Sequence, residues 1–186
     1  DNWYFDAYRN NLKYGSFKMG IPGEHNVLNG LVAVIISHLL GIDKDTVRRA
    51  LAEFKGVKRR FEIVDRVKGR LIIDDYAHHP TAIKTTLEAT KTRFPKSKIW
   101  CVFQPHTYSR TEKLLSEFAQ SFKDADKVII TDIYASAREK EGNVTAVNLA
   151  AEIKKYQTGV RFIADKEKIS DFLLSSVKSP SVILTI

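Results

Sequence analysis

From residue 61 onward, apolar residues first alternate with polar ones, then fall at helical spacing, and the exchange repeats to the end of the chain. Phe61, Ile63, Val64 and Val67, the turn Lys68-Gly69 and the apolar run Leu71-Ile72-Ile73 predict a strand that returns as a hairpin. After it the pattern predicts a helix from about Thr81 to Arg93, a strand over 98–103, a helix over 112–122 and a strand over 127–131. A helix over 146–156, a strand over 160–163, a helix over 166–175 and a strand over 182–186 complete the series. This alternation indicates an α/β fold, a mainly parallel sheet with right-handed crossovers and helices on both faces.

The first 57 residues read differently. Trp3, Tyr4, Phe5, Tyr8, Tyr14 and Phe17 suggest strand edges and turns, and a largely apolar helix over 27–40 stops at Gly41. So apolar a helix must be buried. A second helix is expected behind an Asp43 or Asp45 cap, ending near Phe54, with Val47, Leu51 and Phe54 at helical spacing. Lys55-Gly56-Val57-Lys58-Arg59-Arg60 breaks it, which places a domain boundary at 57/58. One apolar helix and a few strands fall short of a domain, and the chain stops on the apolar run Val182-Ile183-Leu184-Thr185-Ile186. The expectation is therefore the tail of one domain, residues 1–57, followed by a second, 58–186, truncated at its end.

Composition narrows the function classes. With 44% hydrophobic residues over 186 positions the chain can bury a sizeable core. Its longest apolar stretch, about 31–40, is too short to span a bilayer and no signal-peptide pattern opens the chain, so a cytoplasmic, non-membrane protein is expected. The net charge of +8 is dispersed: ten basic and six acidic residues lie up to Arg60, twenty and sixteen after it. That argues against a nucleic-acid stripe and for small anionic substrates. Cys101, the single cysteine, sits in the run Ile99-Trp100-Cys101-Val102-Phe103, as a buried structural thiol would.

Two strand ends carry unusual loops, Asp74-Asp75-Tyr76-Ala77-His78-His79-Pro80 and Gln104-Pro105-His106-Thr107-Tyr108-Ser109-Arg110-Thr111, and three of the five histidines lie in them. In open parallel sheets, ligands bind at the carboxyl ends of the strands. If the two strands are parallel neighbours, Tyr76, His78, His106 and Arg110 come together, and the helix start after the second loop could hold a carboxylate or phosphate beside Arg110. The competing readings are that Asp74, Thr81 and Thr111 are helix caps, or that Asp75, His78, His79 and His106 bind metal, although their spacing matches no zinc pattern. Ser109 with His106 could enter a hydrolase triad, but no Gly-x-Ser-x-Gly elbow is present. Asn26 and Asn29, three residues apart at a helix start, could contact a nucleotide or act as a cap, and Lys58-Arg59-Arg60 could face a polyphosphate or solvent. No Gly-x-x-x-x-Gly-Lys-Ser/Thr occurs in the sequence.

Taken together, Gly23-Glu24-His25-Asn26-Val27-Leu28-Asn29, Gly56-Val57-Lys58-Arg59-Arg60-Phe61-Glu62, Asp74 to Thr81, Phe103 to Thr111 and Thr131-Asp132-Ile133-Tyr134-Ala135 resemble the Mur ligase family over nearly the whole chain. The resemblance implies a Rossmann-like C-terminal domain, a mainly parallel sheet with one antiparallel edge strand, preceded by the end of the central ATPase domain. It also implies an ATP-dependent ligase of bacterial peptidoglycan synthesis that joins L-alanine to UDP-N-acetylmuramate through an acyl phosphate. ATP and magnesium would be required, and the P-loop, the magnesium ligands and a modified lysine are expected upstream of Asp1, so that these 186 residues alone are inactive. By motif position, Asn26, Asn29, Arg60 and Asp75 would contact ATP, while Tyr76, His78, His106 and Arg110 would hold L-alanine. Thr107 departs from the arginine often found there. The alternatives are the family's tripeptide-recycling branch and a non-catalytic Rossmann-like module for an anion or a protein.

Overall fold

Period-two and period-3.6 patterning decide the elements of the computed structural model, which describes all residues except 1–2, 22, 138, 140 and 141 and the side chain of His25. The chain forms two compact units, residues 1–58 and 59–186.

In the first unit, β1 (Trp3–Arg9) and β2 (Leu12–Met19) form an antiparallel hairpin. Its turn, Asn10-Asn11, takes positive φ at both residues, a conformation that asparagine tolerates. Two helices follow, α1 (Glu24–Leu39) and α2 (Lys44–Glu53), and Asp43 caps α2 by accepting from the Thr46 amide at 2.8 Å. Ala7, Phe17, Met19, Val34, Val47 and Leu51 make the core. The expectation that the apolar helix is buried is not met. Val27, Gly30, Leu31, Ala33 and Val34 pack against the unit, but Leu28, Val32, Ile35, Ile36 and Leu39 are all at least half exposed.

The second unit opens with β3 (Glu62–Val67) and β4 (Arg70–Asp74), antiparallel across the Lys68-Gly69 turn. It continues with α3 (Pro80–Arg93), β5 (Lys98–Phe103), α4 (Tyr108–Lys113), α5 (Leu115–Gln120) and β6 (Lys127–Ile130). The last elements are α6 (Ala146–Ile153), β7 (Val160–Phe162), α7 (Lys166–Ser176) and β8 (Ser181–Thr185). The sheet order is β3-β4-β8-β5-β6-β7, parallel throughout except for the β3 edge, as expected for the α/β class. Alternation along each strand divides the side chains. Ile99, Cys101 and Phe103 join one core with Ile83, Leu87, Phe118 and Leu149, while Trp100 turns to the other face with Ile129, Ile169 and Ile183. Complete burial in that first core pushes the Cys101 thiol far above its ordinary pKa, which leaves it inert.

Two sequence expectations need correction. The helix expected over 112–122 starts four residues earlier, at Tyr108, and jogs at Leu114. Hydrogen bonds from the Leu114 amide to Arg110 and from the Phe118 amide to Leu114 run through the jog, so the first turn is re-aimed without losing a partner. Secondly, β4 and β5 are not neighbours. The C-terminal strand β8 lies between them, so the loops leaving β4 and β5 share one rim but start about 10 Å apart, two strand spacings.

Candidate functional site

At the end of β4, one carboxylate organises the chain. Asp75 accepts from the Phe61 amide at 2.7 Å and the Ala77 amide at 2.9 Å, with Thr86 Oγ1 at 3.4 Å, and so ties the 59–61 turn to the start of α3. Its oxygens therefore face the protein's own backbone. Arg59 and Phe61, on either side of the exposed Arg60, both take positive φ, the strained region for such side chains, and the Asp75 bond helps to hold them there.

Arg59 Nε donates to Asp74 at 3.0 Å, and Thr185 Oγ1 donates to the other Asp74 oxygen at 2.8 Å. The Arg59 guanidinium also lies over the Tyr76 ring at 5.1 Å, and Tyr76 meets the His78 ring edge-on at 4.9 Å. His78 Nδ1 lies 2.8 Å from the Tyr76 carbonyl oxygen. A carbonyl can only accept, so Nδ1 carries the proton and the Nε2 lone pair of the neutral ring is left for another partner. The expected helix caps are absent here: Asp74 is a strand residue bound to Arg59 and Thr185, and α3 is capped by His79, which accepts weakly from the Thr81 amide at 3.4 Å.

The second cluster is built where β5 and β6 end. Residues 105–107 zip against Tyr134, with the Tyr134 amide donating to Pro105 at 2.8 Å and the Thr107 amide to Tyr134 at 3.0 Å, and the His106 ring stacks on Tyr134 at 5.4 Å. Thr107, at φ 72, makes the turn into α4, and Thr111 lies inside that helix, donating to the Thr107 carbonyl, so it is no cap either. The helix start that could have held a ligand anion is filled by Glu139. Its two carboxylate oxygens accept from the Tyr108 amide at 2.9 Å and the Ser109 amide at 2.8 Å. The Ser109 hydroxyl, then the Ser109 and Tyr108 amides hold the Glu139 carboxyl below its usual pKa. Arg110, in the same turn, keeps its Nη1 buried with no hydrogen-bond partner among the described residues.

Tyr76 and His78 thus form one cluster and His106 and Arg110 a second, on the same rim with β8 between them. Asn26, half-buried, and Asn29, exposed, lie in the first turns of α1 within the 1–58 unit, whereas Arg60 and Asp75 belong to the second unit. No group of three His, Cys, Asp or Glu side chains among the described residues is placed to hold a metal ion. Sequence reasoning did not single out Arg59, Asp74 or Glu139 as site residues. Tyr134 was within reach of it, in the tract Thr131 to Ala135.

A mostly parallel α/β sheet, with polar loops leaving the carboxyl ends of β4 and β5, defines a Rossmann-like domain. The family described as "Mur ligase, glutamate ligase domain" matches residues 59–186, and the chain belongs to the Mur ligases. It is 46% identical to the UDP-N-acetylmuramate--L-alanine ligase of Alkaliphilus metalliredigens over 97% of its own length and 39% of that protein's, and 44% identical to the same enzyme of Caldanaerobacter subterraneus. The crystal structure of UDP-N-acetylmuramate-alanine ligase from Thermotoga maritima superposes with a TM-score of 0.73 at 31% identity, covering 95% of this chain and 37% of that one. A murein peptide ligase from Psychrobacter arcticus gives 0.68 at 26%, covering 98% and 38%. The chain therefore spans about two fifths of the length of the relatives it matches.

Proposed function

We propose that the protein is part of an ATP-dependent ligase that joins L-alanine to UDP-N-acetylmuramate in bacterial peptidoglycan synthesis, acting in the cytoplasm, where those substrates would be met. The observation that carries the reading is Arg110, in the first turn of the helix that follows His106, whose Nη1 is buried without a hydrogen-bond partner among the described residues. A planar fork of this kind matches a carboxylate bidentately, which suits the carboxylate of an incoming amino acid. In this reading Arg110 and His106 orient L-alanine, while Tyr76 and His78 receive its ammonium group. The His78 Nε2 lone pair takes one proton from it, the free amine then attacks the acyl carbon of an acyl phosphate, and the C–O bond to phosphate breaks so that phosphate leaves with the second amine proton. Arg60, Asn26 and Asn29 would contact ATP. Asp75 would serve the nucleotide through the turn it ties down beside Arg60. Among the described residues no group of three His, Cys, Asp or Glu side chains is placed to hold magnesium.

Residues 1–58 would be the end of the central ATPase domain. The exposed apolar stripe Leu28, Val32, Ile35, Ile36 and Leu39 supports this, because a stripe so wide on one helix suits a buried interface better than solvent.

The test is an amide-joining assay on the full-length gene product, with L-alanine and, separately, the tripeptide that the recycling branch would use. L-Alanine should be preferred, and preference for the tripeptide would move the protein to that branch. The same assay on the 186 residues alone should show no ATP-dependent joining; turnover there would refute the assignment of the phosphate-binding loop to another part of the polypeptide. In the full-length enzyme His78→Ala should raise KM for L-alanine about tenfold while KM for ATP changes less, and equal changes would contradict the division of labour between the two substrates.

A further inference from the structure

We infer that Glu139 is a positioning residue of the amino-acid site: its carboxylate clamps the first turn of α4 and thereby fixes where Arg110 presents its guanidinium. The inference rests on the proposed function above and adds a residue to it from outside both loops. Three observations carry it. Glu139 spends both oxygens on consecutive amides, Tyr108 and Ser109, two residues and one residue before Arg110. Thr107, just before them, is a β-branched residue at φ 72 with no side-chain cap, so the turn into α4 lacks the usual local device for holding its first amides. Finally, described residues on either side help to place Glu139: its own amide closes a local turn by donating to Ser136 at 2.9 Å, and Gly142 lies against the first turn of α4, where a side chain would come within 2.8 Å of Tyr108 Cβ.

The clamp has a chemical consequence. With these amides already bonded to a carboxylate, the ligand's carboxylate is left to side chains, Arg110 foremost, and a small error in the helix start is passed directly to the guanidinium. Glu139 touches neither ligand nor reacting atoms in this scheme. It acts through α4.

The experiment uses the full-length gene product and two variants. E139A should raise KM for L-alanine about tenfold or more, with KM for ATP and for UDP-N-acetylmuramate within about twofold of the parent and kcat changed less than KM. E139Q keeps the chain length and one acceptor oxygen, so its KM should fall between parent and E139A. If E139A does not fold, E139Q decides by the same criteria. L-Alanine KM values within twofold of the parent, or equal changes for all three substrates, would overturn the proposal. Hydrogen exchange of the Tyr108 and Ser109 amides supplies a readout independent of activity: both should lose protection in E139A and at least one of them in E139Q. Unchanged protection would overturn the clamp. A parent protein that does not join L-alanine would instead refute the proposed function, with the clamp still judged by exchange.

Discussion

Arg110→Ala in the full-length enzyme is expected to lower kcat/KM for L-alanine by about 100- to 1000-fold, because removing one member of a desolvated charge pair costs about 2–5 kcal/mol. The loss should fall mainly on KM, since the carboxylate takes no part in the bond that forms and is held equally in ground and transition states. Arg110→Lys should recover only part of it, because an ammonium cannot reproduce the planar fork. Steady-state kinetics with L-alanine varied at saturating ATP would measure both variants. The physical basis is that Arg110 Nη1 is buried and lacks a partner among the described residues, a cost that the proposed contact with the carboxylate would relieve. A change of less than threefold would leave the carboxylate without its assigned partner.

The second large effect is on stability. Asp75→Ala is expected to destabilise the 59–186 unit by about 2–3 kcal/mol, lowering its melting temperature by roughly 6–12 °C. Two amides, Phe61 and Ala77, would lose a charged acceptor in a half-buried setting, and the paired positive-φ residues around Arg60 would lose their tie to the sheet. Asp75→Asn should cost less, since its one remaining oxygen can still serve one of the two amides. Thermal denaturation, followed with ATP binding measured by calorimetry, separates two roles. A melting temperature that stays put while ATP binding is lost would make Asp75 a direct ligand contact rather than the anchor of the 59–61 turn.

Several features of the fold are legible from short stretches of sequence. The hairpin around Lys68-Gly69 follows from alternation and a glycine turn, and β5 at Lys98–Phe103 falls where the apolar run predicts it. The Asp43 cap of α2 follows from the residue type before the helix. Capping by residue type fails at Asp74, Thr81 and Thr111. Asp74 is claimed by Arg59 and Thr185, Thr81 sits one residue inside a helix begun by His79 and Pro80, and Thr111 lies a full turn inside α4. The start of α4 escaped prediction because Glu139, some thirty residues away, supplies the acceptor that a local cap would have supplied.

The sequence by itself determined the α/β class, the antiparallel edge, the two polar loops at strand ends and, through its motifs, the family, because each is written within a few consecutive residues or one period of the pattern. Only the tertiary structure decided that β8 separates those loops, that Asp75 turns its oxygens onto the backbone and that Glu139 occupies the helix start. These depend on partners distant in sequence, as when Thr185 reaches Asp74 across 111 positions, and the strand order that brings them together is set by packing of the whole sheet rather than by any local preference.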